Sequence, residues 1–167
     1  MKIRKALLAA AASLAFLGGS AAQAECSDPG RPGVDWRRCL LDRQDLSGVD
    51  LTGANLRDAS FARADLSKAK LTGINAFNVK FLSTDLQGAV LDHARLEAAD
   101  FTKADLTGAS LKDADLRRAS LFRATLKNAN LAGAQLREAD LSFADFTGAT
   151  WTDGKTVCAE GSVGKCR

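Results

Sequence analysis

The sequence is poor in the residues on which most catalytic and metal sites depend. It has one histidine, His93, and no cysteine between residues 41 and 151. His93 follows Asp92 at a polar position, where a solvated surface histidine is expected. No serine lies in the Gly-x-Ser-x-Gly context of a nucleophile elbow, and the sequence has no phosphate-binding loop or metal-ligand cluster. These absences predict a protein that is not an enzyme, with no catalytic, cofactor or metal site.

Proline is equally scarce and is confined to one segment. The only two prolines, Pro29 and Pro32, lie there with two glycines. This composition is typical of a turn-rich loop. It predicts an N-terminal capping loop over residues 25–40, in which Trp36 covers the open end of the segment that follows.

Only one long apolar run occurs, and it lies at the N-terminus. Three basic residues precede the run over residues 6–17, and a small-x-small pattern ends at Ala24. The run is too short to span a bilayer of about 30 Å, and no later segment is apolar enough to do so. The pattern predicts a signal peptide over residues 1–24, cleaved after Ala24. The mature protein is then periplasmic or secreted, without stable membrane insertion.

Removal of the signal peptide would balance the charge. The chain has 23 basic and 20 acidic residues, and three of the basic ones are Lys2, Arg4 and Lys5. The mature chain would therefore carry twenty residues of each sign. Net charge then gives no support to binding of nucleic acid or anionic membrane, and we predict no nucleic-acid partner.

The feature that dominates the chain is an apolar residue at every fifth position from Leu41 to Trp151. Of the 23 central positions, 17 are leucine, four are phenylalanine, one is Trp151 and one is Ala76. Five residues advance about 500° on an α-helix, and on a flat strand successive centres point to opposite faces. Neither structure would bury one face. The period instead predicts a solenoid that turns a corner every five residues and points each centre inward.

The repeated unit also identifies a family. Tandem copies of A(D/N)LXX, such as Ala104-Asp105-Leu106, resemble the pentapeptide-repeat proteins over residues 41–151. The Gly-Val-Asp-Trp-x-x-Cys entry that ends at Cys39, and the exit from Trp151, resemble exported bacterial members. The resemblance implies an all-β fold, a right-handed quadrilateral β-helix of about five to six coils with disulfide loops at both ends.

The four cysteines all lie outside this repeat. An exported protein with an even number of cysteines is expected to form disulfides. The ends of an elongated solenoid are too distant for a bond that needs Cα atoms within about 7 Å. The prediction is therefore Cys26 with Cys39, and Cys158 with Cys166 in a C-terminal disulfide-capped tail over residues 152–167. The same geometry excludes a zinc site that uses all four.

A coil of twenty residues stacks equivalent positions in columns. One column of centres brings three phenylalanines together: Phe61, Phe81 and Phe101. In another column Ala76 is undersized, which predicts a small void or bulge. The bulky Ile74 and Val79, at positions where alanine is usual, could fill part of it.

Outward positions form charged columns as well. The basic ladder is Arg43, Arg63, Lys103 and Arg123, and the acidic ladder is Asp45, Asp65, Asp85, Asp105 and Asp145. The two ladders are two residues apart in sequence and should run side by side along one corner. We expect opposite charges to neutralise one another; the alternative is a docking strip for a charged partner.

Four apolar side chains are also predicted to project outward: Phe77, Leu82, Phe122 and Phe143. Single exposed apolar residues are ordinary, but a cluster marks a contact surface more often. We predict a non-enzymatic, rigid structural or protein-interaction module in the periplasm. Its partner would be an unidentified protein of the cell envelope or a second copy in a homodimer.

Two other functions remain open. Some cytosolic members of the resembled family mimic DNA and protect topoisomerases, which makes a DNA-mimicking topoisomerase-binding protein the first alternative. The second is an accessory factor to a cell-envelope enzyme. The balanced charge and the predicted export both count against DNA mimicry.

Overall fold

The computed structural model describes residues 26–167, in which one five-residue conformation repeats from residue 31 to residue 150. Each unit contributes a single bridged residue, which pairs in parallel with the residue twenty positions on, from Asp35 with Asn55 to Asn130 with Thr150. Four units therefore make one coil of a β-helix. Within residues 26–167 there is no helix, and no strand is longer than one bridged residue. The predicted signal peptide lies outside the described residues.

The coil has four sides, which we number by their columns of central residues, each column advancing in steps of twenty. Side 1 carries the centres from Leu51 to Trp151, and side 2 those from Trp36 to Leu136. Side 3 runs from Leu41 to Leu141, and side 4 from Leu46 to Phe146.

Hydrogen bonds along the axis hold the coils together. In the unit centred on Leu51, three N–H groups donate to neighbouring coils: Leu51 to Lys70 (2.8 Å), Gly53 to Thr72 (2.9 Å) and Asn55 to Val34 (2.9 Å). A fourth, from Ala54, donates to the Leu51 carbonyl and closes the turn. The N–H of the residue directly after the centre, here Thr52, has no acceptor in this scheme. This orphan N–H needs an acceptor from a side chain or from solvent.

The turn imposes a left-handed backbone conformation on every unit. The second residue after each centre, from position 33 to position 148, has a φ between 55° and 74°. Sixteen of these residues are not glycine, and they include Ala98 and Phe143. An L-residue in this conformation costs about 1–2 kcal/mol. The inter-coil hydrogen bonds and the buried core offset that cost.

The interior consists of the central residues and the small residues that come two before them. The predicted aromatic column is present on side 3, where the ring centroids of Phe61 and Phe81 lie 5.5 Å apart and those of Phe81 and Phe101 lie 5.1 Å apart. Ala76 on side 2 is fully buried, as are Ile74 and Val79. The two larger side chains therefore pack inside the coil, where they help to fill the space that Ala76 leaves.

The coil begins ten residues earlier than the sequence predicted. Val34, Trp36 and Cys39 occupy inward positions, and Asp35 bridges Asn55 in the next coil. Trp36 is 2% exposed, and the centroid of its ring lies 6.4 Å from that of Phe61. Residues 31–40 are thus part of the first coil, and Trp36 is a core residue of that coil.

Gly30 covers the underside of that tryptophan. A Cβ atom at Gly30 would lie 2.6 Å from Val49 Cγ2 and 3.2 Å from Trp36 Cη2. Because the first distance is shorter than an ordinary carbon contact, any larger residue at position 30 would force the Val49 side chain to shift. The entry segment can therefore lie flat against the end of the core.

The C-terminal tail closes part of the opposite end. It pairs antiparallel with the last coil, through Asp145 with Val163 and Thr150 with Val157. Trp151 packs edge-to-face on Phe146, with the centroids 5.2 Å apart. The tail therefore satisfies edge groups on sides 4 and 1.

Each end contains a pair of cysteines at disulfide distance. The Sγ atoms of Cys26 and Cys39 are 2.07 Å apart, and those of Cys158 and Cys166 are 1.98 Å apart. The Cα separations are 5.4 and 4.9 Å. These are the two pairs that the sequence predicted.

Candidate interaction site

Aspartate side chains satisfy the orphan N–H of many units. Asp105 Oδ1 accepts from the Thr107 N–H (2.9 Å) and from its hydroxyl (2.6 Å), and Asn130 Oδ1 accepts from the Ala132 N–H at 3.1 Å. In these units the acceptor stands one residue before the centre, and the donor stands one residue after it. This geometry explains why the repeat favours Asp or Asn at that position.

At two units where serine precedes the centre, an aspartate from the preceding coil is the acceptor. Asp42 Oδ1 accepts from the Ala62 N–H at 2.9 Å and from the Ser60 hydroxyl at 2.5 Å. Asp92 does the same for Lys112 and Ser110. The need for an acceptor at the orphan N–H is therefore met in more than one way.

The two charged ladders do not pair with each other. Within residues 26–167, no ion pair of 4.0 Å or less joins the basic ladder to the acidic ladder. The aspartates instead accept a hydrogen bond from the backbone N–H two residues on, as Asp45 does from Ser47 and Asp85 does from Gln87. The backbone N–H is already fixed at hydrogen-bond distance from the carboxylate. A long exposed Arg or Lys side chain would have to lose rotamer freedom to form an ion pair, so the carboxylate bonds the N–H instead.

These local bonds also lower carboxyl pKa values. Donation from the Ser47 hydroxyl and N–H holds the pKa of Asp45 below its usual range, and Thr52 does the same to the pKa of Asp50. In the tail, bonds from Thr156 and Lys155 lower the pKa of Asp153 to about 2. The carboxylates therefore stay charged at mildly acidic pH.

The most exposed apolar cluster lies on the corner after side 3, near the C-terminal end. Phe143 is 64% exposed, and its ring meets that of Phe122 edge-to-face with the centroids 5.7 Å apart. The Arg123 guanidinium lies 5.1 Å from the Phe122 centroid and 5.8 Å from that of Phe143. Phe143 also has a φ of 61°, which is unfavourable for a bulky residue. We call Phe122, Arg123 and Phe143 the aromatic corner.

The other two predicted apolar residues lie elsewhere. Leu82, 38% exposed, is two coils below Phe122 on the same corner. Phe77 follows side 2, where the Arg57 guanidinium lies 4.7 Å over its ring. The four residues that the sequence grouped are therefore distributed over two faces, and only Phe122 and Phe143 are in ring contact.

Beside Phe77 is a surface hollow of about 170 Å³ that the sequence did not reveal. Successive coils contribute to its wall Asn75 and Phe77, then Arg95 and Glu97, then Asp115 and Arg117. Arg117 bonds both Asp115 oxygens, at 2.7 and 2.6 Å, and its guanidinium holds the pKa of Asp115 below its usual range. A signal was present in the sequence: side 2 lacks Asp before its centres at positions 55, 75 and 95.

The residues that the structure describes offer no group of side chains suited to metal binding. His93 is exposed, with Nδ1 3.8 Å from an Asp113 oxygen on the next coil. Three or more potential metal ligands do not come together anywhere in residues 26–167. Over the same residues, no helix has the length and apolarity needed to cross a membrane.

Comparison with known proteins identifies the repeat. The family model for the pentapeptide repeat region matches residues 54–131, and that for pentapeptide repeats in eight copies matches residues 114–150. No curated protein matches the chain.

Several solved structures are similar. HetL, a pentapeptide repeat protein involved in heterocyst differentiation regulation in the cyanobacterium Nostoc sp. strain PCC 7120, is 33% identical, with a TM-score of 0.47. The match covers 75% of this chain and 62% of HetL, so the chain spans less than two thirds of that relative. Rfr23 from the cyanobacterium Cyanothece 51142 is 28% identical over 72% of this chain and 89% of its own, with a TM-score of 0.54.

QnrB1, a plasmid-mediated fluoroquinolone resistance protein, is 21% identical over 72% of this chain and 71% of its own, with a TM-score of 0.45. At that identity and score the likeness carries no argument about function. The likeness to Rfr23, a pentapeptide repeat protein, implies a right-handed quadrilateral β-helix, in agreement with the four-sided coil. By its repeat, its two family matches and its structural neighbours, the chain belongs to the pentapeptide-repeat family.

Proposed function

We propose that this protein is a non-enzymatic interaction module of the cell envelope, which presents the aromatic corner to a protein partner. The observation that carries the proposal is Phe143, a 64% exposed phenylalanine held at a φ of 61°. An exposed ring gains little from folding, and the backbone conformation costs about 1–2 kcal/mol for a side chain that is not glycine. Contact with a partner would bury the Phe143 ring and so offset the conformational cost.

Export to the periplasm is the second part of the proposal. It is supported by the signal-like sequence of residues 1–24 and by the two cysteine pairs at disulfide distance. Mass mapping of the unreduced protein from a periplasmic fraction tests it. We expect a chain that starts after Ala24 and carries only the 26–39 and 158–166 links; an uncleaved, reduced protein in the cytosol would contradict export.

A photo-crosslinking residue tests the surface. Placed at position 142, it should capture a discrete partner, or a second copy, in intact cells. The double variant Phe122→Ser and Phe143→Ser should abolish that product. A matched probe at position 52, on side 1, should give no discrete product. Equal capture from positions 142 and 52, or capture that survives the double variant, would reject the aromatic corner as the contact surface.

A further inference from the structure

The hollow on side 2 contains backbone donors of the kind that an Asp or Asn side chain satisfies in many other units. The residue directly after the centre has an orphan N–H, and on side 2 these residues include Arg57, Phe77 and Glu97. Among residues 26–167 none of these three N–H groups has a protein acceptor. In the coils below and above, Asp35 and Asp115 accept from the equivalent N–H groups of Arg37 and Arg117, both at 3.2 Å.

The reason lies in the residues that precede the centres. Positions 55, 75 and 95 hold Asn, Asn and Arg, where the repeat elsewhere favours Asp. Arginine has no acceptor atom, and neither asparagine accepts from its local N–H in this structure. Because all units share one backbone geometry, the three N–H groups face outward like those that Asp35 and Asp115 cap. They form a row along the coil axis, spaced about 4.8 Å apart.

Guanidinium groups surround this row. Arg117 is committed to Asp115, and its Nη2 lies 3.5 Å from Glu97 Oε2. Arg95 has no ion pair within 4.0 Å among the described residues. Arg57 is stacked on Phe77, with only an exposed contact of 3.5 Å to Asp58. The hollow thus has one guanidinium without an ion pair and a second that is held in place by a ring.

We propose that this hollow binds a small oxyanion, a carboxylate or phosphate group of a ligand. The oxygens accept from the N–H groups of Phe77 and Glu97, and the Arg95 guanidinium supplies the opposing charge. Guanidinium and backbone N–H together are the usual donors for such groups in proteins. The volume of about 170 Å³ accommodates the anionic head of a ligand together with some water, since one water occupies about 30 Å³ in the liquid. Glu97 and Asp115 do not oppose binding strongly, because Arg117 already bonds one and lies close to the other.

The test is an NMR titration of the amide signals of the mature protein. Inorganic phosphate and acetate are added separately at constant ionic strength. We expect saturable shifts of the Phe77 and Glu97 N–H signals. The tighter probe shows whether the phosphate or the carboxylate geometry fits better. Absence of a saturable shift with either probe would overturn the proposal.

Two variants separate a built site from diffuse attraction. Arg95→Gln should weaken binding roughly tenfold, the size expected for loss of one hydrogen bond between charged groups. Asn75→Asp should abolish it, because a carboxylate then caps the Phe77 N–H as Asp115 caps that of Arg117; thermal stability should be kept or raised. Arg63→Gln, an equal change of charge on the corner after side 3, should bind like the parent. Equal weakening by Arg95→Gln and Arg63→Gln, or undiminished binding by Asn75→Asp, would contradict the proposal.

Discussion

At the scale of single residues, the coil places two demands on its sequence: a positive φ after each centre and an acceptor for one orphan N–H. Sixteen residues that are not glycine tolerate the first demand. Side chains on the surface therefore bear a backbone cost that their own contacts do not explain. Exchange of glycine and alanine measures that cost.

We expect Gly53→Ala to destabilise the protein by about 1 kcal/mol, because a left-handed L-residue costs more than is regained by a stiffer unfolded chain. Gly53 has a φ of 66°, and a Cβ atom there would meet nothing within 4 Å, so sterics do not contribute. Ala98→Gly, at a φ of 58°, should have the opposite sign. Thermal melts of both variants check the pair. Equal signs would refute the conformational explanation.

The second demand predicts a graded series at position 105. Asp105→Ala removes the acceptor for the Thr107 N–H and should cost about 1 kcal/mol, as loss of a helix N-cap does. Asp105→Asn should cost much less, since Asn130 makes the same bond to Ala132 at 3.1 Å. Urea unfolding of the two variants gives the comparison. An asparagine as damaging as alanine would show that charge, and not the hydrogen bond, is what matters.

At the scale of one side of the coil, the aromatic column is the most specific packing element. Phe81 lies between Phe61 and Phe101, with both neighbours stacked at an interplanar angle of 26°. Phe81→Ala should cost about 3–5 kcal/mol, the usual range for a buried phenylalanine. Phe81→Leu should cost about 1 kcal/mol, since leucine is the usual centre and fits the coil. Denaturant midpoints decide between them; similar losses would mean that the column depends on aromatic stacking.

The arrangement of the four sides could be predicted from the sequence in part. The five-residue period and the columns of twenty predicted which residues face inward, because both follow from counting. Residues 31–40 were missed, although Trp36 and Val34 lie in register with the repeat. Two prolines and an unusual centre obscured these two units, whose conformation is set by contact with the next coil.

The surface was less predictable for a physical reason. The hydrogen-bond partner of Asp45 or Asp85 depends on which backbone N–H lacks an acceptor, and only the hydrogen-bond scheme of the coil shows this. The hollow at Phe77 has the same origin, since it arises where Asn and Arg replace the usual aspartate. Counting in twenties placed Leu82 and Phe122 on one face and Phe77 round the corner from Leu82, but it did not show that Phe143 contacts Phe122.

At the scale of the whole molecule, acid should unfold the protein through its carboxylates. The pKa values of Asp45, Asp50 and Asp140 are lowered in the fold, and that of Asp153 falls from 3.8 to about 2. A lowered native pKa stabilises the fold fully above the unfolded value of 3.8, and this stabilisation is lost as the pH falls through the native value.

We therefore expect the free energy of unfolding to be flat near neutrality and to fall between about pH 4 and pH 2. Urea midpoints across that range provide the measurement. The variant Asp153→Asn should show a smaller fall, because the residue with the largest shift no longer titrates. A midpoint that rises on acidification, or an unchanged slope in the variant, would contradict this linkage.

The backbone hydrogen bonds that join one coil to the next all run along the axis of the coil, and this has a mechanical consequence. Force applied between the two ends would load the bonds of one coil at a time, so that the chain would peel from an end. Each released coil would add about 70 Å of extended chain. The cysteine links at residues 26–39 and 158–166 lie where peeling would start, and they keep the first and last turns from being drawn out.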